Sequence, residues 1–273
     1  MMKKKYIDLD EIIATSSSGF LKKLPSQLVD LMKILIRQER INHILNKYES
    51  YEGLEFIRKL NEEFKVKVEY TGLENLPENG RCFFAANHPF GFLDGLILTK
   101  TVGEKYGNFK AIGNEAFMLA PQLRPVIAAV NVFGTNPRQY IIELEKVFES
   151  DIAVTHFPAG VVSRMKKGII EDSEWHKSFI SRAVKSKRDI VPFYFFGRNS
   201  NLFYGVFLLR KMLRISLNLE LALLPHEIFN KQNKTIRVKI GKPIPWQTFD
   251  KSKSHYDWAQ YVKQEVYKLR YPN

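Results

Sequence analysis

The sequence predicts an α/β fold: a largely parallel central sheet flanked by helices, with an N-terminal helical pair ahead of it. Three observations predict it. Short apolar runs bounded by Gly, Pro or Asn alternate with longer amphipathic runs, the pattern of strands crossed over by helices. Thr235-Ile236-Arg237-Val238-Lys239-Ile240 alternates polar and apolar with period two and reads as a late strand near one edge. The 273 residues, 45% hydrophobic and 13% aromatic, suffice for one full core and exclude a disordered chain.

Taken in order, Pro25 and Ser26 open a helical pattern in which Leu28, Leu31, Met32 and Leu35 share one face, with Lys33 and Arg37 elsewhere. A second helix carries Leu54, Phe56, Ile57, Leu60 and Phe64 as a broad apolar arc. This pair, in a region spanning 1–64, either packs on the body or lies on a membrane with its basic flanks toward headgroups. Ser16-Ser17-Ser18-Gly19 is the nearest thing to a linker and is too short to separate domains. The body, 65–273, then alternates. Strands are expected at 66–70 and 82–86, a helix from Asp94, strands at 109–112 and 128–133, a helix over 137–148, and strands at 152–156 and 190–196. The Leu-rich segment 203–224, broken by Arg210, Lys211, Arg214 and Glu220, is either an amphipathic membrane contact or a packed helix, and a short helix ends the chain. No repeat or low-complexity tract is present, and nothing reaches the ~18 uninterrupted apolar residues of a membrane span. The basic start Met1-Met2-Lys3-Lys4-Lys5 has no apolar run behind it, so it does not read as a signal peptide.

In a parallel sheet, reactive groups sit beyond the carboxyl ends of strands, and two turns expected there carry chemistry. Asn87-His88-Pro89-Phe90-Gly91-Phe92-Leu93-Asp94 follows the apolar run 82–86. His88 leaves the strand, and Asp94, six positions on, is expected to open the next helix as its N-cap. Gly91 lets the turn fold back so that the two side chains meet. A carboxylate then holds one ring N–H and leaves the other nitrogen to take a proton from a hydroxyl, a general base with its orienting acid. The competing reading is a capping Asp beside an exposed His. A second turn, Phe157-Pro158-Ala159-Gly160-Val161-Val162-Ser163-Arg164, weighs against it, because it too ends a strand and carries a hydroxyl and a guanidinium. A third run, 190–196, contains Val191-Pro192 and ends in Gly197-Arg198-Asn199-Ser200.

With these three blocks in this order, about residues 65–245 resemble the glycerolipid acyltransferase superfamily, whose best-known members acylate lysophosphatidic acid. Asn87, His88 and Asp94 match its Asn-His and Asp block, and Phe157, Pro158, Gly160, Ser163 and Arg164 loosely match its Phe-Pro-Glu-Gly-Thr-Arg-Ser block. Ile190-Val191-Pro192 matches its Val-Pro strand, and 68–77 looks like its lead-in. Two features depart from the common pattern: five residues rather than four separate His88 from Asp94, and Ala159 stands where Glu is usual. Both are similar to a bacterial, hemolysin-like branch that makes ornithine or glycine lipids. Its signatures, His-Pro-x-Gly-x-x-Asp-Gly and Phe-Pro-Ala-Gly-x-x-Ser-Arg, fit position by position.

The resemblance implies an O-acyltransferase that moves a fatty acyl group from a thioester on acyl carrier protein or coenzyme A, with no cofactor besides. The acceptor is the free hydroxyl of a lysolipid, either a lyso-aminolipid or lysophosphatidic acid. It implies His88 as base, Asp94 as its stabiliser and direct transfer without an acyl-enzyme. Backbone N–H groups near Gly160 are expected to receive negative charge, and Arg164 to bind an acidic headgroup or the donor's phosphate. Asn87, Pro89, Gly91, Phe157, Pro158, Ala159, Gly160 and Ser163 complete the expected substrate-binding set. Arg138 joins it, where the family often has a substrate-binding Arg; its alternative is a solvated residue in a helix's first turn. With Ala159 in place of Glu, Arg164 is expected to lack a neighbouring carboxylate and to be free to fork onto that of a glycine or ornithine lipid.

Forty-two Lys and Arg against 29 Asp and Glu give a formal charge of +13, which suits anionic partners. These are acyl carrier protein or coenzyme A phosphates and an anionic membrane surface, so the expected location is the cytoplasm and the inner face of the cell membrane. The rival class is a non-catalytic basic module for membrane or nucleic acid. It explains the charge but leaves the pairing of His88 with Asp94 without a purpose, so no nucleic acid is expected. Cys82, the single cysteine, supports neither a disulfide nor a Cys-based zinc site. His43, His226 and His255 lack metal-ligand spacing, so no metal is expected. His156 is a core residue or a pocket donor, and Trp175-His176-Lys177 a lid or an interface. There is no phosphate-binding Gly-Lys-Ser/Thr loop, no Gly-x-Gly-x-x-Gly after a strand and no Gly-x-Ser-x-Gly elbow.

Overall fold

A computed structural model describes residues 4–16, 19–131, 137–215 and 218–271. Helices α1 (Leu9–Thr15), α2 (Gly19–Lys22), α3 (Ser26–Leu35), α4 (Gln38–Lys47) and α5 (Gly53–Phe64) precede the first strand. The expected pair is therefore the third and fifth of a run of short helices. The missed ones are too short or too polar to carry a long apolar period, α4 being Gln-Glu-Arg-rich. Next come β1 (Lys67–Thr71), β2 (Cys82–Ala86), α6 (Phe92–Tyr106), β3 (Phe109–Asn114), β4 (Ile127–Val130), α7 (Arg138–Glu149) and β5 (Ala153–His156). A small hairpin, β6 (Arg164–Lys166) and β7 (Ile169–Glu171), leads to α8 (Ser178–Ser186) and β8 (Asp189–Phe196). Helices α9 (Asn201–Met212) and α10 (Leu224–Asn230), strand β9 (Thr235–Ile240) and helix α11 (His255–Lys268) complete the chain. Of the strand expected at 128–133, Val132 and Phe133 lie outside the described residues, as do Gly134, Thr135 and Asn136 and the Ser17-Ser18 of the linker.

The sheet has seven strands in the order β1-β9-β8-β2-β5-β3-β4, and every neighbouring pair is parallel except β8 with β9. It is the α/β, largely parallel sheet that the alternating pattern predicts. β9 lies one place in from the edge, beside β1. Strand β2 is buried at all five positions because helices cover both faces of it. Phe84 and Ala86 face a core shared with Phe56, Ile57 and Leu60 of α5 and Leu93, Ile97 and Val102 of α6. Phe83 and Ala85 face another, with Phe179 and Ile180 of α8 and Trp258 and Val262 of α11. The arc on α5 is thus core, in one cluster with the sheet. The α3 face divides: Leu35 packs beside Phe203 and Leu223, whereas Leu28 and Leu31 stay exposed and Val29 is the buried residue.

Candidate active site

Strand β2 ends rigidly. The buried Asn87 donates from Nδ2 to the Phe195 carbonyl at 3.0 Å, and its Oδ1 accepts the Phe195 N–H at 2.7 Å. That side chain extends the ladder to β8 by one rung, and the amide expected to bind substrate is occupied in doing so. His88 follows, then the buried Pro89, then Gly91 at φ 92° and ψ −111°. A side chain at Gly91 would be strained by this backbone and would press on Leu224 and Val162 at 3.1 Å.

The helix after the turn begins at Phe92, two residues earlier than expected, with Gly91 at its N-cap. Asp94 is therefore in the first turn, not at the cap, and caps by reaching back. Its Oδ2 accepts the Phe90 N–H at 2.9 Å and the Gly91 N–H at 3.4 Å, and its Oδ1 accepts the Gly95 N–H at 2.9 Å. A fully buried carboxylate is thereby fixed at a helix N-terminus, where the macrodipole favours negative charge. Its Oδ1 lies 3.0 Å from Nδ1 of His88. The ring N–H is not aligned on that oxygen; pairs of this kind are often poorly aligned before substrate binds. The imidazole is stacked on Phe157, 4.1 Å between centroids and 26° between planes, and 17% of it is exposed. With Nδ1 facing Asp94, Nε2 is the nitrogen left for an incoming hydroxyl.

The second block surrounds this pair. Pro158 and Ala159 are buried. Gly160, at φ 68°, donates its own N–H to the Phe157 carbonyl at 2.9 Å, so that donor is spent inside the turn rather than offered to a developing oxyanion. The Ser163 N–H donates to the His88 carbonyl at 2.8 Å, joining the two blocks through backbone. The Ser163 hydroxyl is buried and donates to Asp172 Oδ1 at 2.6 Å.

Asp172 has no counterpart in either motif. Its Oδ1 also accepts the His88 N–H at 3.1 Å and its Oδ2 the Trp175 Nε1–H at 3.0 Å. Its N–H donates to the Tyr267 hydroxyl at 2.7 Å, and its carbonyl accepts Lys263 Nζ at 2.8 Å. Burial pushes its carboxyl pKa above the ordinary value, against the lowering effect of the hydrogen bonds from Ser163, Trp175 and His88. Trp175 is fully buried in this network, which corrects the lid-or-interface expectation. The one sequence signal for Asp172 is an acidic stretch ahead of that Trp, in which it stands three residues before the ring.

Arg164 is not free. Its Nη2 lies 3.0 Å from Oε1 of the fully buried Glu220, its Nη1 donates to the Val162 carbonyl at 2.7 Å, and Phe203 and Phe207 lie under the guanidinium. Glu220 also accepts from Arg210, Nε to Oε2 at 2.8 Å and Nη2 to Oε1 at 3.2 Å. The carboxylate missing at Ala159 is supplied from a distant segment, so the expectation of an unpartnered Arg164 is overturned. The trio keeps one net positive charge. Arg138 stands exposed in the first turn of α7, directly after the segment 132–136. His156, at the end of β5, is driven down to a pKa of about 3 by burial and then by His176 and His88, and stays neutral at physiological pH.

The chain matches a family model described as Acyltransferase over residues 11–272. It is 40% identical to a lyso-glycine lipid O-acyltransferase of Bacteroides thetaiotaomicron over 96% of this chain and 97% of that one. It is 39% identical to a lyso-glycine lipid O-acyltransferase of Phocaeicola vulgatus over 96% of this chain and 95% of that one. Among solved structures it is similar to the 1-acyl-sn-glycerophosphate acyltransferase PlsC of Thermotoga maritima, at a TM-score of 0.49 and 14% identity over 89% of this chain and 96% of that one.

Proposed function

This chain belongs to the acyltransferase family, and from that premise we propose that it transfers a fatty acyl group from a thioester to the hydroxyl of a lyso-glycine lipid. The observation that carries the reading is the His88–Asp94 approach at 3.0 Å beyond the end of β2, with Asp94 fixed by three backbone N–H groups. Nε2 of His88 takes the proton of the acceptor hydroxyl as its oxygen attacks the thioester carbonyl, and Asp94 stabilises the imidazolium. When the tetrahedral intermediate collapses, the carbon–sulfur bond breaks and the departing thiolate takes the proton back from His88. No acyl-enzyme forms, since Ser163, the nearby hydroxyl, is bound to Asp172 and buried.

The relatives act on a lyso-glycine lipid by name, and an N-acylated glycine presents a carboxylate. The net positive Arg164–Glu220–Arg210 trio beside the second block suits such a headgroup. The donor is a thioester of acyl carrier protein or coenzyme A, and the enzyme works peripherally at the inner membrane face. No helix among the described residues is long and apolar enough to cross a membrane. The test is transfer of labelled acyl groups by purified protein to lyso-glycine lipid and to lysophosphatidic acid. Transfer to the glycine lipid is expected to dominate and to vanish in His88→Ala. Preference for lysophosphatidic acid would remove the aminolipid acceptor, and normal turnover by a folded His88→Ala would remove the base.

A further inference from the structure

Helix α9 divides sharply into two faces. Phe203, Tyr204, Phe207 and Arg210 point inward, while Leu202, Leu208, Leu209 and Met212 point out, Met212 being 73% exposed. An inward stripe accounts for packing, and a second apolar stripe on a solvent face needs another cause. The stripe does not stand alone. Helix α3 packs on the turn Leu219–Leu223, which packs on α9. Leu35 of α3 joins the Phe203–Leu223 cluster, and Leu31 and Leu28, on the same side of α3 one and two turns back, continue outward from it. Ile34 beside them is 68% exposed. The β6–β7 hairpin packs on α9 from another side and ends in Lys166, Lys167, Gly168 and Ile169, the last 58% exposed.

On α9 and the hairpin the charges are of one sign, and on α3 the exposed Asp30 is paired with Lys33. Lys166, Lys167, Lys211 and Arg214 are exposed, and neither 157–170 nor 201–219 contains an Asp or Glu. The outward residues are aliphatic, without the Trp and Tyr that anchor protein interfaces. Aliphatic chains beside Lys and Arg suit a bilayer interface, with methyl and methylene groups among acyl chains and cations at phosphate level. The face adjoins the catalytic turn. Arg164, where the hairpin starts, follows the Ser163 that bonds the His88 carbonyl, and Val162 and Leu224 of the α9 cluster occupy the space a side chain at Gly91 would need.

We propose that the outer side of α9, the exposed side of α3 and the β6–β7 hairpin tip form one docking face for the surface of an anionic bilayer. Docking there holds the turn bearing His88 against the membrane, where a lysolipid acceptor resides. The inference rests on the proposed acceptor only for the kind of surface, since binding is measured without any substrate.

The experiment is flotation of the full chain with vesicles of phosphatidylcholine alone and of phosphatidylcholine with phosphatidylglycerol. Wild-type protein is expected to float with the anionic vesicles and less at high salt. Met212→Ser combined with Leu209→Ser, and separately Lys166→Ala combined with Lys167→Ala, are expected to cut the bound fraction on the order of tenfold, with unchanged melting temperatures. Transfer to a short-chain, freely soluble acceptor should be unaffected by the Met212/Leu209 pair, while transfer to a vesicle-embedded acceptor falls. Wild type that ignores vesicles of every composition, or variants that float like wild type, would overturn the proposal. So would a lipid-free dimer that the Met212/Leu209 pair dissolves, because a second copy would then be the occupant. Vesicle binding without any acyl transfer would defeat the enzymatic reading and leave this face standing.

Discussion

Replacing His88 with Ala removes a ring that is stacked on Phe157 in the turn and is 17% exposed. The expected loss is ~10² to 10⁴ in kcat with a melting temperature near that of wild type, read by acyl transfer and calorimetry on one preparation. Asp94→Asn is expected to do more than lower the rate. Asp94 accepts three backbone N–H groups with both oxygens from within the helix's first turn. An amide turns an N–H donor toward one of those groups, so about 1–3 kcal/mol of stability is expected to go with the activity. Asp172→Asn tests positioning. The carboxylate holds the His88 N–H and the Ser163 hydroxyl without reaching the reacting atoms, so kcat should fall about tenfold with KM for the acceptor unchanged; a change in KM alone would sink that role. His156 supplies a pH prediction with a definite sign. Its folded pKa of about 3 lies below the ordinary 6.5, because burial disfavours the cation. The unfolded chain therefore binds a proton that the folded chain refuses between those values, and stability is whole above 6.5 and lost as pH falls toward 3. Melting temperature followed over that range should fall less steeply in His156→Phe than in wild type. At this scale the motif residues were legible, since a His, a Gly and an Asp across one turn constrain each other locally. Asp172 and Glu220 were not, because their partners, Ser163, Trp175, Tyr267, Arg164 and Arg210, meet only through tertiary packing.

Strands were read where burial leaves a period. β2 and β9 fall at the residues expected, one as a continuous apolar run covered on both faces and the other as an alternating strand. The β6–β7 hairpin and α8 were not read, because three-residue strands carry no period and the nine residues of α8 give its apolar face little more than two turns. The two-residue error at the start of α6 has a physical source: Gly91 caps with backbone alone, and the Asp that resembles a cap works from inside the helix. Gly91→Ala tests how far the whole element depends on this entry. The added methyl meets Leu224 and Val162 at 3.1 Å in a backbone conformation that L side chains rarely adopt, a cost of about 1–3 kcal/mol. Because the strain falls between His88 and Asp94, activity should drop further than the melting temperature alone accounts for, and a variant with normal kcat would show that the turn tolerates slack.

Across the whole molecule 42 basic groups stand against 29 acidic ones, and basic side chains lie at both ends of the sheet. Arg81 and Lys187 precede β2 and β8 and, with Arg182 and Lys185, line a cleft at the amino ends of those strands, where Arg182 and Lys185 pair with Glu145 and Arg81 with Asp151. Lys166, Lys167, Lys211 and Arg214 are exposed near the carboxyl ends, where His88 lies. A thioester carried by an acidic protein would have to reach the second group, whose field would speed its approach. The donor prediction follows from screening. At an ionic strength of 0.15 M the Debye length is ~8 Å, and it shrinks further as salt is added. With a freely soluble acceptor, so that no membrane competes for the cations, kcat/KM for acyl carrier protein thioester should fall on the order of tenfold as salt rises, through KM and with kcat held. Lys211→Glu with Arg214→Glu should deepen the loss, and Arg182→Glu with Lys185→Glu, remote from His88, should change it much less. Acyl-coenzyme A is smaller and carries its charge on phosphates, so its salt dependence should be shallower. Indifference to salt together with strong preference for acyl-coenzyme A would reject the carrier protein as donor.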